Sequence, residues 1–158
     1  MSKNSSELQR IAAAFLRGFT ELSAEDHVAL RSPTCNHIFA PSSLSIPTKT
    51  NEQFASHLTN NLIPLLAHFS VTAKEIHINE AARQITIWAT GVPEFREEVK
   101  DGEEKEWEYV GEYIFILNMN DDGKIERVLE FLDSLATERL RGLMVRARKN
   151  LGADGKAW

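Results

Sequence analysis

A histidine stands inside the strand-like run CNHIFAPSSL, residues 35–44, with the chain's single cysteine two positions before it. Alternate residues of a strand share a face, so Cys35, His37 and Phe39 point the same way. An imidazole titrates near pH 6.5, which suits it to general acid or base work around neutrality. The alternative is a core histidine with no task. A Cys-x-His pair could also support nucleophilic catalysis, but no sequence signature surrounds this one. Two carboxylates make a similar exception to their surroundings. Glu112 alternates with Val110, Ile114 and Ile116, and a carboxylate desolvated among aliphatic groups is raised toward neutrality and can move protons there. It could instead sit at a strand edge, paired with Arg83 or Arg127. Asp133, in VLEFLDS, shares a face with Leu129 and Phe131 while Glu130 takes the opposite face. Either it lies at the mouth of a cavity or it caps the following helix. His27, His57, His68 and His77 lack HExxH-type spacing, and no Gly-rich phosphate loop or GxSxG elbow occurs. Metal and nucleotide chemistry are therefore not indicated.

The elements that must position these groups follow from periodicity. Leu8, Ile11, Phe15, Phe19 and Leu22 recur at helical intervals, and Ser6 with Gln9 has the spacing of a capping box. Ser23 starts a short second helix that Ser32-Pro33 stops. A strand covers Cys35–Phe39, and the proline-rich APSSLSIPTKT reads as a loop. Thr50 or Asn51 caps a third helix whose buried stripe is Phe54, Leu58, Leu62, Leu65 and Leu66, bent or ended near Pro64. From Phe69 the period becomes two, which predicts largely antiparallel strands over 69–79, 83–92, 106–119 and 124–135. A basic amphipathic helix spans about 137–150, and the terminal GADGKAW reads as frayed. The order predicts an α+β fold with helices on one face of a curved sheet, in one domain covering residues 1–158.

The bulk numbers agree with that reading. Over 158 residues, 42% are hydrophobic and 26% charged, with a net charge of −5; this is the composition of a soluble globular domain and a poor match to a nucleic-acid partner. No apolar run approaches the roughly 20 residues needed to span a bilayer, and MSKNSSELQR lacks the apolar core of a signal peptide, so the expectation is a cytoplasmic protein away from membranes. A single cysteine excludes an intrachain disulfide. The acidic stretch 94–112 and the basic terminal helix read as solvated segments, or as the tail of one subunit meeting the loop of another. In WEYVGEYIFILNMN, Trp107, Tyr109, Tyr113, Phe115, Leu117 and Met119 lie on one face and Val110, Glu112, Ile114 and Ile116 on the other. Helices can cover only one of these apolar faces, which predicts a homodimer through the sheet.

LRSPTCNHIFAPSSL, KTNEQF and GEYIFILNMNDDGKIERVLEFLDS, in this order, resemble the SnoaL-like branch of the nuclear transport factor 2-like superfamily. More narrowly, over about residues 7–145 they are similar to small fungal proteins encoded in polyketide and meroterpenoid pathways. The resemblance implies a cone-shaped α+β barrel, usually homodimeric, with a deep apolar pocket for a hydrophobic small molecule and no cofactor. It implies isomerase, cyclase, dehydratase or hydrolase chemistry at carbonyl-bearing carbons. By position, His37 matches the histidine of the family's T-x-x-H segment, Asn51 its helix-opening asparagine, Glu112 its E-Y-hydrophobic-F glutamate, and Asp133 its E-F-hydrophobic-D-S aspartate. Gly111 and the charged segment 94–108 depart from the pattern. The expectation is a cofactor-independent isomerase or cyclase in which Glu112 or Asp133 removes a proton beside a carbonyl and His37 donates to the enolate. Phe39, Asn51, Leu62, Trp88, Thr90, Tyr113 and Phe131 are the expected pocket residues. A water-activating dehydratase or hydrolase and a noncatalytic binding or dimerisation module are the alternatives.

Overall fold

The computed structural model describes residues 2–153; the last five residues of GADGKAW lie outside it. Helix α1, Lys3–Thr20, begins earlier than its capping-box spacing predicts, because the Ser2 hydroxyl accepts from the Ser5 amide and closes the first turn. Its buried face is Leu8, Ala12, Phe15, Leu16 and Phe19. Helix α2, Ala24–Ala29, starts where Ser23 predicts, its hydroxyl accepting from Asp26 N at 3.1 Å. Strand β1, Arg31–Ala40, is longer than the expected Cys35–Phe39. Helix α3, Asn51–His57, carries the full Thr50–Gln53 capping box and passes into a π-helical turn at Leu58–Leu62, just before Pro64.

The remaining strands are β2, Leu66–Asn79, β3, Gln84–Phe95, β4, Gly111–Met119, and β5, Ile125–Leu132. They form one sheet in the order β1-β5-β4-β3-β2, with β1 parallel to β5 and the other pairs antiparallel. Between the third and fourth strands the chain makes short 3₁₀ turns at Glu97–Val99 and Glu104–Trp107, where the sequence predicted strand from residue 106. Helix α4, Ser134–Asn150, buries Leu140, Leu143, Met144 and Ala147.

Two-residue alternation sets what each face of the sheet does. Ile85, Ile87, Ala89, Tyr113, Phe115, Leu117, Val128 and Leu132 point inward and are buried against the helices. The outer face carries Trp88, Ile114 and Phe131 in one cross-strand row, Trp88 opposite Ile114 and Ile114 opposite Phe131. Ile114 and Phe131 are 41% and 47% exposed, so this apolar row is uncovered within the chain.

The acidic segment and the basic helix meet inside one chain. Arg146 Nε donates to Asp101 Oδ1 at 2.6 Å, its guanidinium lies 4.7 Å from the Trp107 ring centre, and Arg139 donates to the Glu106 carbonyl. These intrachain contacts replace the expectation of two merely solvated segments, and they occupy groups that a neighbouring subunit would need.

Candidate functional site

The helices and the inner face of the sheet enclose a cavity with walls from Phe19, Phe39, Ile46, Phe54, Leu58, Leu62, Phe69, Val71, Phe115, Leu132 and Leu140. Its polar groups are Lys49, His57, Tyr113 and Glu130. Glu130 reaches the cavity because β5 turns Val128, Glu130 and Leu132 inward. Val128 stands opposite His37 in the parallel pairing, which puts Glu130 one inward position farther along. His37 Nε2 lies 2.9 Å from Glu130 Oε1, and its Nδ1 lies 3.1 Å from an Arg31 guanidinium nitrogen.

This chain of contacts has one consistent proton arrangement. A guanidinium only donates, so His37 Nδ1 accepts; the ring proton is on Nε2 and donates to Glu130. The ring is fully buried and stacked between Phe39 and Phe54, with centroid distances of 4.5 and 4.7 Å. Burial, with the nearby Arg31 charge, holds the His37 pKa well below 6.5, so the imidazole is neutral. Arg31 also lies 3.4 Å from His27 Nδ1 and 4.2 Å from the centre of the Phe54 ring. Burial pushes Glu130 up to about 8 against the opposing pull of Arg31 and Lys49. Its carboxyl can therefore hold or release a proton near neutral pH.

Across the same inner face stands a phenol. Tyr113 pairs with Leu132 and Phe115 with Glu130, so Tyr113 and Glu130 are diagonal neighbours. The Tyr113 hydroxyl lies 3.4 Å from that of Tyr109, and burial raises its pKa well above 10, so it stays a donor. Gly111 makes this approach possible: a β-carbon there would fall 2.2 Å from the Tyr109 oxygen. Among the described residues, no group of three or more His, Cys, Asp or Glu side chains is arranged to hold a metal ion.

The expected site residues divide sharply. His37 has a carboxylate partner, but it is Glu130. Glu112 lies on the outer face, its side chain half exposed, accepting from Trp88 Nε1 at 3.0 Å and facing Lys74 at 3.5 Å. Its even position in β4 turns it away from the cavity. Asp133 lies past the end of β5 and caps α4 by accepting from Ala136 N at 3.2 Å. Phe39, Leu62 and Tyr113 line the cavity. Trp88, Thr90 and Phe131 face outward by strand parity, and Asn51 uses its amide to hold the Ser32 carbonyl at 2.7 Å. Arg31, Lys49, His57 and Glu130 were missed. For Glu130 a signal existed, a lone carboxylate between Val128 and Leu132 in strand alternation.

The buried titratable groups predict a stability maximum. The Glu130 value is raised, so between about 4.5 and 8 the unfolded chain loses a proton that the folded state keeps, and stability falls as pH rises. His27, His37 and His57 are lowered, the last to about 4, so stability falls as pH drops below 6.5. The cluster's contribution therefore peaks near pH 6.5. Thermal melts from pH 5 to 8.5 check this; a midpoint that keeps climbing from pH 6.5 to 8.5 would contradict a buried, protonated Glu130.

No family model matches the chain. It is 29% identical over 150 residues to "Austinoid biosynthesis clusters protein F" of Emericella nidulans, covering 92% of this chain and 77% of that one. The structure of AusH from Aspergillus nidulans, 28% identical, superposes with a TM-score of 0.67 over 82% of this chain and 85% of that one. The BvnE pinacolase from Penicillium brevicompactum, 19% identical, shares the fold with a TM-score of 0.77 over 90% and 94% of the two chains. The five-stranded sheet closed by helices around the cavity and these likenesses agree: the chain has the α+β fold of AusH, is similar to fungal austinoid-biosynthesis proteins, and keeps the resemblance to the SnoaL-like branch of the nuclear transport factor 2-like superfamily.

Proposed function

We propose that this protein is a cofactor-independent acid–base isomerase or cyclase that acts on a meroterpenoid or polyketide intermediate in fungal secondary metabolism. The observation that carries the reading is Glu130, a buried carboxyl lining an apolar cavity and held at one oxygen by the His37 ring N–H. Ionised Glu130 takes a proton from the carbon beside a ketone. The C–H bonding pair moves into the enolate, whose oxygen accepts a hydrogen bond from the Tyr113 phenol. Return of the proton to another carbon gives an isomer; attack of the enolate carbon on a second carbonyl forms the C–C bond of a ring, and the resulting alkoxide takes the proton back from Glu130; neither outcome needs an oxidant or reductant. His37 is here a positioning residue, and the acid role expected of it passes to Tyr113. The curated relatives and AusH support the pathway class by their names.

The apolar row on the outer face of the sheet supports a homodimer formed there. The compartment is the cytoplasm, a reading supported by the use of a single, buried cysteine; no helix among the described residues is long and apolar enough to cross a membrane.

The test is incubation of the purified protein with an extract from a strain lacking its gene. The expected result is loss of one apolar ketone and gain of a product of identical mass, at a rate that rises with pH to a plateau with a midpoint near 8. A product lighter or heavier by one water would establish the dehydratase or hydrolase instead. A rate that falls between pH 7 and 9 would reject Glu130 as the base.

A further inference from the structure

The buried charges around the cavity do not balance. Arg31 and Lys49 supply two positive charges, Glu130 supplies at most one negative charge, and burial holds His27, His37 and His57 neutral at pH 7. Protonation of Glu130 widens the excess. Arg31 has taken up its position by donating to two imidazoles and stacking on Phe54. Lys49 has no such set of acceptors. Among the described residues no carboxylate lies within ion-pair distance of its ammonium, whose protein hydrogen bond is a long one, 3.5 Å, to the Pro47 carbonyl. A half-buried ammonium that touches no carboxylate and feels Glu130 only at longer range carries a desolvation cost that a bound anion would offset.

The backbone of Lys49 is fixed to the site. His37 N donates to Lys49 O and Lys49 N donates to His37 O, both at 2.9 Å, and the Lys49 ammonium lies 4.9 Å from the Phe39 ring centre. Lys49 and His57 line the inner cavity and also an outer groove that includes Pro47, Gln53 and Asn61. They therefore mark the mouth. Glu52 lines the same groove without pairing with Lys49.

We propose that Lys49 is an anion-binding subsite, and that the substrate carries a carboxylate or an acidic enol which pairs with Lys49 at the mouth while its apolar body reaches Glu130. This rests on reading the cavity as the substrate site and deepens it by naming the substrate class. The geometry also orients the ligand, charged end outward and reacting ketone inward.

Two fluorescent probes test it without turnover. 8-Anilinonaphthalene-1-sulfonate and N-phenyl-1-naphthylamine share one aromatic body and differ by the sulfonate. The wild-type protein should bind the sulfonate about tenfold more tightly, as expected for a partly desolvated charge pair. Lys49→Met should bring the two affinities together by weakening the sulfonate alone, and Lys49→Arg should keep the preference. Equal binding of both dyes by the wild type, or an unchanged ratio in Lys49→Met, would overturn the subsite. Either result leaves the assignment of Glu130 standing, because that is read from turnover and its pH profile.

Discussion

Glu130→Gln lowers turnover by about three orders of magnitude, within the range a positioned general base contributes, and leaves the fold intact. The replacement has nearly the same shape, and its amide oxygen can still accept from His37 Nε2, so the stack of His37 between Phe39 and Phe54 is kept. What is lost is the ability to take up a proton. The same substitution should raise the thermal midpoint at pH 8 more than at pH 5, because the wild-type folded state resists the ionisation that the unfolded chain undergoes freely. Loss of rate with gain of stability is the behaviour of a site maintained for chemistry rather than for folding. Glu112→Gln and Asp133→Asn provide the contrast. The first changes an outer-face contact to Trp88, and the second exchanges one good helix cap for another, so both should keep turnover within a few-fold of wild type. Wild-type turnover in Glu130→Gln, measured on folded protein, would remove the mechanism.

Phe131→Glu converts the dimer we propose to monomer. Phe131, Ile114 and Trp88 form a row across three strands of the uncovered face, and Val92 and Val110 are also exposed, at 44% and 64%. A two-fold interface places the same patch on both partners. One substitution therefore introduces two carboxylates into a single apolar contact, each losing hydration near a like charge. Sedimentation should give twice 17.8 kDa for the wild type and 17.8 kDa for the variant. A wild-type chain that sediments as a monomer would reject this use of the face.

Most of the element order was legible because each element carries its own period. The Ser23 and Thr50 caps, the long β2–β3 pairing and the inward set from Tyr113 to Met119 all follow from local pattern. Of the residues now found at or beside the cavity, the sequence singled out His37, Phe39, Leu62 and Tyr113. In VLEFLD both alternating sets look plausible as a core face: Val128, Glu130 and Leu132 against Leu129, Phe131 and Asp133. Hydrophobicity favours turning Phe131 inward, and the molecule does the reverse: Val128, Glu130 and Leu132 are buried and Phe131 is exposed, an arrangement that fits the buried acid and the outer-face dimer we propose. The same error of face moved Glu112, Trp88 and Thr90 into the pocket. Arg31 was invisible for another reason. An arginine at a strand start reads as a solvated group, and its burial depends on His27 and His37 folding onto it from α2 and β1.

The parallel pairing of β1 with β5 has a consequence for how the protein is made. Arg31, His37 and Lys49 leave the ribosome long before Glu130, which is 93 residues beyond His37. At about 5–20 residues per second, these groups precede their acid by roughly 5 to 19 seconds. Strand β1 has no neighbour in the sheet until β5 is made, so a stop codon anywhere before β5 would leave β1 unpaired and Arg31 and Lys49 without Glu130. The last strand inserted completes the sheet and brings in Glu130, the base we propose, in the same step, so a chain that ends before residue 130 lacks both.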